Sequence, residues 1–139
     1  MRLGSGTRQA PAHPGSSDDP RTTASRSRRG RRQIVRPVEL SVIVSTYGEG
    51  RLIYGNLRRL LTELEKLNVE YEVIVVSDGN TDTTAGEVRR LGSPAVKVFH
   101  YPMSIGKGFA LSFGVSQSSG SLVTFIDSDM RFDPANISR

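Results

Sequence analysis

The chain has 139 residues and a formal net charge of +5, enough for one domain and hardly more. It contains no cysteine, which excludes a disulfide framework and a thiolate metal site. No apolar run reaches the roughly 18 residues that a membrane-spanning helix needs.

The charge is unevenly spread. Residues 1–36 carry nine arginines against Asp18 and Asp19, a net +7, while the remainder carries ten basic and twelve acidic residues, a net −2. A basic tail thus precedes a slightly acidic body. The tail is rich in Arg, Ser, Gly and Pro and poor in large apolar side chains, so it is expected to be disordered, because it buries too little surface to offset the entropy of ordering. It lacks the apolar stretch of a secretory signal. It reads as a solvated low-complexity leader, with contact to anionic lipid headgroups as the alternative. No aromatic residue is interleaved with the arginines, which argues against base stacking, and no nucleic acid is expected as a partner.

From residue 37 the pattern is that of a folded domain. Glu39–Tyr47, "ELSVIVSTY", is a continuous β-branched run, as expected of a strand buried on both faces. Leu52, Ile53, Leu57, Leu60, Leu61, Leu64 and Leu67 then recur at helical spacing, with Arg58, Arg59, Glu63 and Lys66 opposite. "YEVIVVSDGN" is a second apolar strand closing in the turn dipeptide Asp78-Gly79. "TDTTAGEVRRLG" is a short helix, capped by Thr81 or Asp82 and stopped by Gly92. Ala95–Tyr101 is a third strand, Gly106–Gly120 a third helix and Ser121–Ile126 a fourth strand. Asp133 and Pro134 read as the cap and first turn of a last helix. Four strands alternating with helices predict a doubly wound, mainly parallel α/β sheet.

In such sheets ligands bind beyond the carboxyl ends of the strands, where strand order reverses. The polar clusters fall at those ends: Thr46–Glu49, Asp78–Asp82 and Asp127–Asp129. Asp127 and Asp129 are two apart and, in an extended segment, point the same way. Two like charges on one side call for a cation between them, and Mg²⁺ takes one or two carboxylates with phosphate oxygens and water. "GKG", Gly106–Gly108, lacks the spacing of a P-loop. Even so, a helix start carrying Lys107 attracts an anionic ligand. His13 and His100 have no companion and read as bystanders.

The segments "SVIVSTYGE", "VIVVSDGNTDTT", "GKGFALSFGVSQSSGSLVTFIDSDM" and "DPANI" together resemble the nucleotide-binding half of family 2 glycosyltransferases of the GT-A fold. The polyprenyl (dolichyl) phosphate sugar transferases are nearest in flavour. The resemblance runs from about Glu39 to Arg139. It implies a Rossmann-like donor-binding half at 37–139 and inverting transfer of sugar from a UDP- or GDP-sugar to an acceptor, with polyprenyl phosphate as one such acceptor. It also implies Mg²⁺ or Mn²⁺ as cofactor. Residue by residue, it implies nucleotide contacts from Thr46 and Glu49, a base or ribose contact from Asp78, and a place for Lys107 in the glycine motif. Asp127 would serve nucleotide and metal, and Asp129 would be a metal ligand.

Ser45, Gly48, Ser77 and Asn80 depart from the family's pattern around the nucleotide, and Arg131 stands where lipid-phosphate members often carry Gln. No catalytic base is identified. The acceptor-binding half that follows the acidic motif in the family is not in this sequence, which therefore reads as a truncated donor half. It would have an open sheet edge prone to dimerisation or aggregation, and be located in the cytoplasm or at the cytoplasmic membrane face. A nucleotide-sugar-binding module without catalysis is the alternative. A nucleotidyltransferase would need a Gly/Arg/Lys-rich signature after the first strand, and "TYGEG" with Arg51 is too thin for one.

Overall fold

The structure, a computed structural model, describes residues 34–48, 50–79, 82–131 and 133–139. The expected tail lies outside them up to position 33, as do Glu49 and the cap assigned to Thr81 or the Asp82 side chain. In chain order the elements are β1 (Leu40–Thr46), α1 (Ile53–Glu65), β2 (Tyr71–Asp78), α2 (Asp82–Arg90), β3 (Val96–Tyr101), α3 (Lys107–Gln117) and β4 (Leu122–Asp127). They are followed by a 3₁₀ helix, Pro134–Ser138.

The four strands form one parallel sheet in the order β3-β2-β1-β4. The chain steps outward from β1 to β2 to β3, then returns to the far side of β1. With crossovers of one hand, that reversal puts α1 and α2 on one face and α3 on the other. The cores follow this division. Val42, Val44, Val73 and Val75 pack with Ile53, Leu57, Leu60 and Leu64 of α1 and with Val88 of α2. Ile43, Ile74 and Val76 pack with Ala110 of α3. The two central strands are buried on both faces, as their unbroken apolar runs predict.

The third helix is weakly amphipathic in sequence, and small residues explain why it packs. Ala110 and Gly114 are its buried positions, and a Cβ on Gly114 would lie 2.5 Å from Ile43 Cγ2. Rings of Tyr101 and Phe99 on β3 meet Phe109 and Phe113 edge-on, with centroids 5.1–5.3 Å apart. Only a helix without a large side chain at this line can sit so close to the sheet.

At the amino end of the sheet, Glu72 on β2 is buried at 3% exposure. Ser41 Oγ donates to its Oε1 at 2.6 Å, as do the Ser119 N–H at 2.6 Å and Ser119 Oγ at 2.9 Å, and Lys97 Nζ lies 3.0 Å from Oε2. Burial pushes this carboxyl's pKa up, but the donors from Ser41, Ser119 and Lys97 outweigh it and hold the value at about 2. One carboxylate thus ties β1, β2, β3 and the α3–β4 loop together.

β4 is less enclosed. Among the described residues it pairs only with β1, and Leu122 is 69%, Phe125 50% and Val123 37% exposed. The last helix forms as a 3₁₀ turn instead of the expected α-helix. It has five residues, begun by Pro134 and by an Asp133 carboxylate that accepts from the Ala135 N–H at 3.0 Å. A segment this short closes i→i+3 bonds more readily than it completes an α-helical turn.

Candidate functional site

Strand order reverses between β1 and β4, so the crevice of the sheet opens at the carboxyl ends of these two strands. A cleft of about 470 Å³ lies there, lined by Thr46, Asp78, Lys107, Asp127, Asp129 and Arg131 among others. Five of the six residues expected from the sequence therefore meet in one place, and Glu49 is outside the described residues.

The two acids do not share an extended segment, as their spacing suggests. The strand stops at Asp127 and the chain turns. The Met130 N–H donates to the Asp127 carbonyl at 3.0 Å, and Met130 takes a left-handed φ of 49° while burying its side chain in the α1 core. The turn is held from both sides. Ser128 N–H donates to the Ser45 carbonyl at 3.2 Å, and Asn56 Nδ2 of α1 donates to the Ser128 carbonyl at 2.7 Å. Burial of Met130 and this Asn56 contact offset the backbone strain of a non-glycine residue at positive φ.

Each acid has its own basic partner. Lys107 Nζ pairs with Asp127 Oδ1. Arg131 Nε lies 2.8 Å from Asp129 Oδ2, and the Arg131 N–H donates to Oδ1 at 3.2 Å. The Lys107 and Arg131 side chains are 60% and 85% exposed, so both pairs are of the surface kind, worth about 0–1 kcal/mol. A stronger ligand for the carboxylates would displace them readily. Among the described residues no three His, Cys, Asp or Glu side chains gather to hold a metal. What the chain offers is two carboxylates on a fixed turn, which fits a hard divalent cation that completes its shell with phosphate and water.

Asp78 is enclosed, at 7% exposure. Its carboxylate accepts from the Ile105 N–H at 2.8 Å, the Gly106 N–H at 2.9 Å and Ser104 Oγ at 3.1 Å. Burial raises its pKa, but these three donors prevail and hold it below the ordinary aspartate value. Nearby, burial and the Asp78 charge push the Tyr101 hydroxyl up. Thr46 Oγ1 is buried without a hydrogen-bond partner among the described residues. The sequence missed Ser104, Asn56 and Glu72. Each acts on a group at least 25 residues away, so no local pattern marks them.

The model of "Glycosyl transferase family 2" matches residues 41–139. Dolichyl-phosphate beta-glucosyltransferase of Drosophila melanogaster is 37% identical over 101 residues, covering 66% of this chain and 31% of the relative. Mannosyltransferase PcManGT from Pyrobaculum calidifontis, solved with GDP-Man and Mn²⁺, superposes with a TM-score of 0.56 at 28% identity, over 68% of this chain and 30% of its own. S. aureus TarS in complex with UDP gives a TM-score of 0.53 at 32% identity, over 66% and 28% of the two chains. The chain thus spans about a third of the length of the curated relatives it matches. The doubly wound sheet is the fold that the resemblance implies, and glycosyltransferase structures share it. With its family model matched from the first strand to the last residue, the chain belongs to glycosyl transferase family 2.

Proposed function

We propose that this chain is the donor-binding part of an inverting glycosyltransferase. It takes sugar from a UDP- or GDP-sugar and passes it to a polyprenyl phosphate at the cytoplasmic face of a membrane. The observation that carries this reading is the convergence of Thr46, Asp78, Lys107, Asp127 and Asp129 on one cleft at the point where strand order reverses. The relatives support the chemistry: PcManGT was solved with GDP-Man and Mn²⁺ and TarS with UDP. The dolichyl-phosphate beta-glucosyltransferase supports the acceptor.

Charge supports a metal. Lys107 and Arg131 bring two positive charges to the cleft, and Asp78, Asp127 and Asp129 three negative ones, so a diphosphate entering alone meets a net negative site. Asp127 and Asp129 would hold Mg²⁺ or Mn²⁺, which supplies Lewis-acid neutralisation of a departing diphosphate when bound. Lys107, freed from Asp127, would then reach the phosphates from the start of α3. The first-turn N–H groups there have no acceptor within the helix and favour an anion. Thr46 lines the cleft, and the resemblance assigns it a nucleotide contact. Glu49, three positions on in the sequence, is assigned the same ligand by the resemblance. A phosphate acceptor is already ionised, so it needs positioning more than a general base. The basic tail would add attraction to anionic lipid.

Calorimetric titration with UDP and GDP, in Mn²⁺ and in excess chelator, tests this. Binding of one or both that requires the metal is expected. Absence of binding, or equal binding in chelator, contradicts it.

A further inference from the structure

We infer that the outer side of α1 and α2, centred on Tyr54, Arg58 and Arg90, is a docking surface for the anionic headgroups of a membrane; the choice of a lipid partner rests on the acceptor of the proposed function. The two helices share one sequence pattern. "GNLRR", residues 55–59, and "GEVRR", residues 86–90, each set a buried aliphatic residue, Leu57 or Val88, before an exposed arginine pair. Packing asks for neither glycine, since a Cβ on Gly55 or Gly86 would meet nothing within 4 Å. The arginines stand three and four positions on, so each pair lies beside a bare stretch of helix.

In the seam between the helices two of these arginines converge. Arg58 Cζ lies 5.9 Å and Arg90 Cζ 4.5 Å from the centre of the Tyr54 ring. A guanidinium lying on a ring keeps its N–H edge free for a phosphate. The two like charges repel, and an anion between them relieves this. Glu87 answers only Arg90, accepting from its Nη1 at 2.7 Å, and Glu63 is taken by Lys66. Arg51, Arg58, Arg59 and Arg89 are exposed and have no ion pair among the described residues. The chain from residue 37 on carries a net −2, so the gathering of cations here is local and is not a consequence of composition. None of these side chains lines the donor cleft. The outer side of two neighbouring helices is an open surface, which suits an extended layer of phosphates better than one small anion in a pocket. Leu52, 68% exposed beside Arg51, and the half-buried Tyr54 add the apolar part of an interfacial surface. Since α1 starts just past the Thr46 that lines the cleft, a membrane held here stands near the cleft's end of the sheet.

Co-sedimentation of the full 139-residue chain with vesicles tests this, using phosphatidylcholine alone and three parts phosphatidylcholine to one of phosphatidylserine. Partitioning should require the anionic lipid. Arg58→Gln with Arg90→Gln should lower it about fivefold for each arginine, the worth of one basic residue near a charged membrane. Arg58→Lys with Arg90→Lys keeps both charges and should restore it. The arginines of residues 1–36 are common to every chain compared. Unchanged partitioning in the Gln chain assigns the binding to those residues and overturns the inference. Equal loss in the Gln and Lys chains overturns it as well, because the arginines would then act only by holding α2 against α1. A larger loss for a short single-stranded RNA than for the vesicles overturns the choice of a lipid surface.

Should the double Gln chain fail to fold, Arg89→Gln, at an exposed side chain without an ion pair among the described residues, decides by the same criterion, with about a fivefold loss expected. Nucleotide takes no part in the assay. Binding of UDP or GDP without binding to anionic vesicles overturns the inference alone, and vesicle binding without nucleotide binding counts against the proposed function alone.

Discussion

Replacing Glu72 by Gln removes the charge that binds the amino end of the sheet together, and its effect on stability can be worked from the structure. The carboxyl is held at about 2 against an ordinary 4.5. A displacement of this size corresponds to about 3 kcal/mol, at 1.36 kcal/mol for each pH unit. The folded pKa is depressed, so this stability is present above the unfolded value of 4.5. It is lost as pH falls through the folded value of about 2. Between those limits the unfolded chain binds more protons than the native one. Gln keeps the shape and one acceptor, yet it offers Lys97 an uncharged partner and cannot accept at all of the positions now used. Urea unfolding followed by circular dichroism, on wild type and Glu72→Gln, measures the difference near pH 7 and again near pH 3. The gap should be about 3 kcal/mol at the higher pH and smaller by about 2 kcal/mol at the lower. Other carboxylates cancel because both chains share them. A gap of the same size at both pH values would falsify the assignment of this stability to the Glu72 charge.

Gly114→Ala places a Cβ 2.5 Å from Ile43 Cγ2, and overpacking of this kind costs about 1–3 kcal/mol; the melting temperature should fall, and an unchanged one would show that α3 can lift off the sheet freely. Asp129→Asn takes away one of the two carboxylates on the turn and should lower the affinity for Mn²⁺ with UDP or GDP about tenfold. Asp133→Asn, which exchanges one good helix cap for another, should leave that titration unchanged, and equal losses from the two variants would remove the distinction between site and cap. Pairing of chains through β4 is itself an expectation: sedimentation velocity should show self-association of the wild type and less of it in Phe125→Lys, on the exposed half of that strand, because a charge there disfavours pairing with another chain. Undiminished association would locate the contact elsewhere.

The parts of the fold that the sequence reveals are those whose burial leaves a local trace. β1 and β2 are enclosed on both faces, so every position in them is under the same apolar demand and the runs are unbroken. The α1 stripe is legible for the matching reason, since Ile53, Leu57, Leu60 and Leu64 meet one face of the sheet. The acidic turn was legible as composition and illegible as shape. Whether Asp129 continues the strand depends on Asn56, Ser45 and Met130, and none of these announces a turn by residue type. Asp78 is the sharper case. Beside Gly79 it looks like ordinary turn chemistry, and its three donors lie 26–28 residues on. Glu72 likewise reads as a lone charge at the start of an apolar strand, because its partners come from β1, β3 and the loop after α3. Long-range polar contacts are set by topology, and topology is available only once the strand order is known.

The central claim is that a nucleoside diphosphate and a divalent cation meet at the cleft between β1, β4 and the start of α3. Backbone amide chemical shifts recorded during titration with UDP or GDP and Mg²⁺ test it most directly. The shifts should concentrate at Thr46, at Ile105–Lys107 and at Ser128–Arg131, should leave Glu72 and Ser119 at the opposite end of the sheet untouched, and should vanish on addition of chelator. Saturating nucleotide and metal that leave the cleft amides in place, or that move them equally with chelator present, would contradict it.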